Sequence, residues 1–163
     1  MERVIDAMIR YDSGDPKRIH HFLKVHAFAR QIGLAEQLDE ATLFTLETAA
    51  VVHDIGIRKA EEVYSSSAGP YQEELGPALA EELLTTLNWP REVIDRVCYL
   101  VAHHHTYTNV DGLDYRILLE ADALVNLYEN NSPVEVQQNF YQNVFRTEAG
   151  KALCRNLYPD SCA

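Results

Sequence analysis

Apolar residues recur at spacings of three and four along almost the whole of this chain, and no stretch shows the alternation typical of a half-buried strand. This period matches the α-helix, which places such residues on one face. The pattern therefore predicts an all-α fold, with about seven or eight helices packed as a bundle.

Turn and capping residues divide this pattern into segments. Asp15 and Pro16 are typical of a helix start, while Gly33 and Gly56 are typical of helix ends. The stretch Arg58–Pro70 has weak periodicity and is predicted to be a loop. Helices are predicted over residues 2–11, 16–32, 39–55, 71–87, 91–104 and 113–129, with two more within 133–158.

The length of 163 residues and the 47% hydrophobic content suit one domain with one core. No linker or repeat divides the chain, so residues 1–163 are expected to form a single domain. There is no signal-peptide core, and no apolar run approaches the roughly 18 residues of a membrane span, so a cytoplasmic protein without a membrane partner is expected. The net charge of −11 argues against binding to polymeric nucleic acid, which needs many Lys and Arg.

Several of the seven histidines lie on the second predicted helix. His21 is four residues before Val25, which places it on the edge of the apolar face. His20 shares a face with lysines and is predicted to be solvated, and His26 falls between the two faces. The helical pattern favours His21, but any one of these histidines is more often a structural residue than a ligand.

His53 and Asp54 end the segment 49–56, which is almost entirely apolar. A carboxylate in such a segment is expected to be buried or in a cleft, where it needs a cation, a metal ion or several hydrogen-bond donors. Adjacent helical residues differ by about 100° in direction, so the pair can converge on one ion. The alternative is a buried acceptor beside a packing histidine.

Asp122 presents the same problem, because it lies in the middle of an apolar helical stretch, 117–125. Asp has poor helix propensity there, and its charge would be buried without compensation. One divalent cation would supply the missing charge for both acids. A mixed set of imidazole and carboxylate ligands suits Mn, Fe, Zn, Ni or Co, and Mg less well.

Together these residues resemble the HD superfamily of metal-dependent phosphohydrolases, which is named after its adjacent His and Asp. The resemblance covers about residues 18–127. It implies an all-α fold, and it selects His21 over His20 and His26 on the second helix. It also implies one divalent metal ion held by four residues, His21, His53, Asp54 and Asp122. The matching motifs are His21–Phe22–Leu23–Lys24–Val25, Val51–Val52–His53–Asp54–Ile55–Gly56 and Leu119–Glu120–Ala121–Asp122–Ala123–Leu124.

The chain departs from the family pattern at three places. Ile57 stands where many members have Lys, and Val125–Asn126 replaces a Leu-Asp pair that many relatives carry. Gln72 stands where the two-metal branches have a His, about four residues before the glycine that corresponds to Gly76. Gln72 therefore favours one metal ion. Because of the three departures together, the substrate cannot be transferred from the family.

A run of three histidines, 103–105, ends the fifth predicted helix. His104 is three residues past Val101 and four past Leu100, so it is the one expected to reach the pocket. The resemblance implies second-metal ligands in this region, but without a His at position 72 a second site would be short of ligands. We therefore expect His104 to contact substrate or a metal-bound water, and to act in catalysis with Asp54.

The expected reaction is hydrolysis of a phosphate ester or anhydride on a small molecule, with a nucleotide as the expected substrate. A hydroxide generated at the metal would attack phosphorus, and His104 would hold the phosphate or protonate the leaving oxygen. Arg58 and Lys59 follow the metal pair in sequence and are expected to bind the phosphate, with a solvated loop as the alternative.

Two other functions are compatible with the sequence. Some relatives with extra ligands hold two irons and oxidise their substrates with oxygen, although Gln72 counts against this reading. A binding or sensor module would keep the metal and lack turnover, although the intact set of four ligands argues mildly against it. The sequence is also compatible with a homo-oligomer.

Overall fold

The computed structural model describes residues 1–162, and within them the chain forms helices and no strand. The all-α prediction is therefore confirmed. The nine helices of this described part are α1 Glu2–Tyr11, α2 Pro16–Ala35, α3 Glu40–Val52, α4 Ile57–Tyr64, α5 Gly69–Thr86, α6 Arg91–Val101, α7 Leu113–Glu129, α8 Val134–Asn143 and α9 Glu148–Leu157.

Capping residues begin α2 as the sequence predicts. The Asp15 carboxylate accepts a hydrogen bond from the Arg18 backbone N–H at 3.1 Å, and Pro16 occupies the first turn. Two helices end earlier than predicted, because α3 stops at Val52 and α6 stops at Val101. The His-Asp pair and the three consecutive histidines therefore lie in turns that directly follow helices.

The additional helix, α4, lies in the stretch that the sequence predicts to be a loop. Ala60 is its only buried residue, so it has too little apolar surface to produce a clear period in the sequence. α4 packs against α5, where the two backbones come close. A Cβ atom on Gly56 would lie 2.8 Å from the carbonyl oxygen of Gln72 and 3.0 Å from the nitrogen of Gly76. This close approach fixes α4 and α5 beside the turn that carries Asp54.

The centre of the fold is formed by α2, α3 and α7. α2 packs against both α3 and α7, and α3 packs against α6 and α7. Val25, Leu46 and Leu118 are fully buried between them. α8 buries none of its residues and lies at the edge of the molecule. No helix in residues 1–162 is both long enough and apolar enough to cross a membrane.

Candidate metal centre

Four side chains meet where α2 packs against α3 and α7. His21 projects from α2, Asp122 projects from the middle of α7, and His53 and Asp54 follow the end of α3. The Nε2 atom of His21 lies 3.2 Å from Nε2 of His53, 3.2 Å from Oδ1 of Asp122 and 3.4 Å from Oδ2 of Asp54. The Nε2 atom of His53 lies 3.5 Å from Asp54 Oδ2 and 3.6 Å from Asp122 Oδ1. The structure thus brings together all four residues that the sequence singles out as metal ligands.

These spacings suit a shared metal ion. Ligand atoms about 2.1 Å from a common ion lie about 3.0–3.4 Å apart when they are neighbours in an octahedral or tetrahedral site. Two imidazole nitrogens and two carboxylates form a donor set for a divalent transition metal. His21, His53 and Asp122 are buried, so only a small part of the cluster is open to solvent.

Each imidazole is oriented by an acceptor on its far side. The Nδ1 atom of His21 donates to Glu129 Oε2 at 2.9 Å, and Nδ1 of His53 donates to the Ala50 carbonyl at 2.9 Å. Because these oxygens can only accept, the proton of each neutral ring sits on Nδ1, and Nε2 presents its lone pair to the cluster. This arrangement of ring and distant acceptor is the usual one for histidines that bind metals.

Without a metal ion, the two acids hold protons on the imidazoles. Burial opposes the charged form of His53, but the Asp54 and Asp122 carboxylates outweigh it and raise the pKa of His53 to about 9. The pKa of His21 is also raised, because its hydrogen bond to Asp122 and the carboxylate charges outweigh burial and the repulsion from His53. A divalent ion that replaces these two protons leaves the charge of the cluster unchanged.

The same interactions act on the carboxylates in the opposite direction. Burial would raise the pKa of Asp54, but the charge of His53 and the interaction with His104 hold that pKa well below its usual range. Hydrogen bonds from His21 and His53 lower the pKa of Asp122 in the same way, against the effect of its burial. Both acids are therefore ionised near neutral pH and available as ligands.

His104 reaches the cluster from the turn after α6, on the other side of Asp54. Its ring is fully buried, Nδ1 donates to the Val101 carbonyl at 2.8 Å, and Nε2 lies 3.4 Å from Asp54 Oδ1. Nε2 makes no hydrogen bond within residues 1–162. The His105 ring lies against this ring, with 4.0 Å between centroids and an angle of 44° between the planes. His103 turns away and donates to the Tyr99 carbonyl.

Asp54, His104 and His105 form a second group whose potential ligand atoms lie within 4.8 Å of one another. Gln72 occupies the position where a second metal ion would need a further ligand. Its Nε2 atom donates to the Ser67 carbonyl at 2.7 Å. The number of metal ions per chain therefore stays a prediction.

A cleft of about 270 Å³ opens onto the cluster. Its walls come from α2, from the turn after α3, from α4 and from the second half of α7. Its lining residues are Asp15, Lys17, Arg18, His21, Asp54, Ile57, Glu61, Ser67, Gln72, His105, Asp122, Asn126, Glu129 and Asn130. A larger surface groove of about 1060 Å³, beside the first turns of α3, α6 and α7, includes none of the four clustered residues.

The two cations that were expected to bind phosphate do not line this cleft. Arg58 donates to the Tyr11 carbonyl, and Lys59 pairs with Glu62 at 3.2 Å on the exposed side of α4. The reason is the unpredicted helix, since α4 directs Ile57 into the cleft and its next two residues outward.

Lys17 and Arg18 are the cations that line the cleft instead. Arg18 pairs at 2.6 Å with Glu61, which also lines the cleft. The sequence carried a usable signal for both residues, because they precede His21 by four and three positions and so lie one turn from it on the helix.

Replacing Glu129 with glutamine is expected to weaken metal binding about 10- to 100-fold. The Glu129 carboxylate both orients the His21 ring and, through Lys24 at 2.6 Å, joins a hydrogen-bonded chain behind the cluster. An amide at this position would weaken the hydrogen bond to His21 Nδ1 and would keep the volume of the side chain. Titration with Mn²⁺ or Co²⁺ measures the effect. Glu82→Gln on the exposed side of α5 is the control, and equal affinities in the two variants would rule out an orienting role for Glu129.

Comparison with known proteins gives two findings. The family model described as "HD domain" matches residues 18–136. A solved structure, described as a predicted HD superfamily hydrolase from an uncultured Thermotogales bacterium, is similar with a TM-score of 0.71 and 22% sequence identity, over 98% of this chain and 86% of that chain. At this identity the likeness shows a shared fold. No curated protein matches the chain significantly.

Proposed function

The chain belongs to the HD-domain family, and we propose that it hydrolyses a phosphate ester or anhydride of a small molecule with the help of a divalent metal ion. The observation that carries this proposal is the clustering of His53, Asp54 and Asp122 within 3.2–3.4 Å of His21 Nε2, beside a cleft that His21, Asp54 and Asp122 line. The net charge of −11 supports a small-molecule substrate over a polymeric nucleic acid. A nucleotide substrate remains a prediction of the sequence.

A divalent ion bound at this cluster supplies Lewis acidity, which promotes ionisation of water and polarises a phosphoryl oxygen. The chain itself contributes groups that hold the substrate and move protons. Lys17 and Arg18 lie on the cleft wall, where they can bind phosphate oxygens. His104, protonated at Nε2, would donate to the leaving oxygen. Asp54 Oδ1 lies 3.4 Å from this nitrogen.

Hydrolysis is tested by a screen of phosphate monoesters, phosphodiesters and nucleotides with Mn²⁺, Co²⁺, Ni²⁺ and Mg²⁺. His104→Ala is expected to lower kcat about 100-fold while metal binding at the four-residue cluster persists. His103→Ala is the control, because that ring points away from the cluster. If no substrate is turned over with any metal while metal is bound, the protein is a binding or sensor module instead.

One observation favours a second candidate, a di-iron oxygenase. The group formed by Asp54, His104 and His105 lies next to the four-residue cluster and shares Asp54 with it. Two irons per chain by metal analysis, together with substrate-dependent consumption of oxygen, would establish this alternative. One metal ion per chain would exclude it.

A further inference from the structure

We propose that the substrate is the phosphomonoester of a small, hydroxyl-rich alcohol, of the sugar phosphate or polyol phosphate class, and that the cleft discriminates against nucleotides. This inference rests on the proposed hydrolase function. The inference is based on the lining residues, the charge and the volume of the cleft that opens onto the cluster.

The cleft lacks the surfaces that recognise a nucleobase. Bases are commonly bound by stacking on aromatic rings or between apolar side chains. Ile57 is the only aliphatic residue among the fourteen that line this cleft, and none of the fourteen is Phe, Tyr or Trp. The His105 ring is already in contact with His104, at 4.0 Å between centroids, and the Gly69 backbone lies against it. A base entering this cleft would meet carboxylates and amides.

Those polar groups suit hydroxyl donors. The Asn126 amide donates through Nδ2 to Asp122 Oδ1 at 2.8 Å, which leaves its oxygen as an acceptor. Gln72 is 6% exposed, and its Oε1 atom has no hydrogen-bond partner within residues 1–162. Asn130 also lines the cleft, and it is exposed, so its amide is accessible to a bound ligand. Phosphate oxygens cannot satisfy acceptor atoms, whereas hydroxyl groups can.

The charge of the cleft limits the number of phosphate groups. Five carboxylates line it, and its only two cations within the described chain are Lys17 and Arg18. Arg18 is already shared between Asp15 at 3.3 Å and Glu61 at 2.6 Å. A divalent ion compensates two of the negative charges. A single phosphate can then be held by the ion and Lys17, but the further charges of a di- or triphosphate would find no free cation and would be repelled.

The volume of the cleft also favours a substrate smaller than a nucleotide. Its volume of about 270 Å³ is below the roughly 300–1,000 Å³ that is usual for sites enclosing drug-sized ligands. A sugar phosphate is smaller than the corresponding nucleotide by the whole base. A bound nucleotide would need additional space for its base.

Ribose 5-phosphate and adenosine 5′-monophosphate test the proposal directly, because they share the phosphate, the sugar and the leaving oxygen and differ in the base. With Mn²⁺-loaded enzyme, kcat/KM for ribose 5-phosphate is expected to exceed that for the nucleotide at least tenfold. An equal or higher value for the nucleotide overturns the substrate class and leaves the hydrolase function standing. Failure to hydrolyse any ester in the wider screen overturns the hydrolase function and this inference with it.

A variant separates recognition of hydroxyl groups from phosphate binding. Asn130→Leu is expected to raise KM for ribose 5-phosphate about fivefold, the effect of one lost hydrogen bond. Phenyl phosphate, which has no hydroxyl groups, serves as the matched substrate, and its KM is expected to stay unchanged or fall. A parallel rise of both KM values would show that Asn130 does not read the alcohol.

Discussion

Replacing Asp54 with alanine is expected to abolish metal binding and, with it, hydrolysis. Asp54 faces His21 and His53 through Oδ2 and faces His104 through Oδ1, so it links the four-residue cluster to the general-acid candidate. Its loss removes a ligand and half of the negative charge that compensates the ion. The affinity loss should exceed the roughly 100-fold effect of removing a residue that only orients a ligand. Calorimetry with Mn²⁺ and metal analysis of the purified variant measure it.

Two variants control this experiment. His20→Ala should bind metal like the parent chain, because His20 is exposed and neighbours His21 in sequence without sharing its face. Asp54→Asn keeps the size of the side chain, and its circular dichroism and Tm show whether the fold is intact. Parent-like metal binding in both alanine variants would mean that the ion binds elsewhere.

Metal affinity is expected to rise at least tenfold for each pH unit between pH 6.5 and 9, and about 100-fold per unit where both His21 and His53 are protonated in the metal-free protein. Only the neutral imidazole binds a metal ion. Each protonated histidine of the cluster must therefore lose a proton before it can bind the ion. The carboxylates raise the pKa of His53 to about 9, and they raise that of His21 as well. Binding therefore releases protons throughout this range, and the apparent affinity should level off above about pH 9.

Proton release is measured by calorimetry in two buffers of different ionisation enthalpy, and affinity by titration at several pH values. A metal affinity that does not change between pH 6.5 and 9 would contradict the ion-paired cluster. Tm gives an independent check. The folded-state pKa of His53 lies above the ordinary value of 6.5, so its contribution to stability is complete below about pH 6.5 and is lost as pH rises through about 9. The metal-free protein should lose stability over that window, and added metal should restore it.

The helical fold could be predicted because most helices bury a continuous apolar face. α4 could not, since a helix that buries only Ala60 leaves almost no apolar period. The ends of α3 and α6 were each predicted three residues too late. The apolar pattern continues through Ile55, which is buried although it lies in the turn. Periodicity reports burial, and it does not distinguish the last helical turn from a buried turn that follows.

Asp54 and Asp122 could be predicted because a buried acid requires compensation. The histidines could be predicted because helical spacing favoured His21, the family resemblance selected it, and His53 adjoins Asp54. Their orienting partners could not, since Glu129 contacts His21 across 108 positions of sequence. Arg58 and Lys59 were predicted to bind phosphate because they are close to Asp54 in sequence. They do not line the cleft, because α4 turns both side chains outward. Lys17 and Arg18 could have been found through their helical spacing from His21, but the sequence pattern placed the lysines of this helix on the solvated face of His20.

The central claim is that His21, His53, Asp54 and Asp122 hold a divalent metal ion. Anomalous diffraction from crystals grown with Mn²⁺ tests it most directly. We expect a strong peak about 2.0–2.4 Å from the Nε2 atoms of both histidines and from an oxygen of each aspartate. A peak elsewhere in the molecule, or no peak in crystals shown by fluorescence to contain manganese, would contradict it.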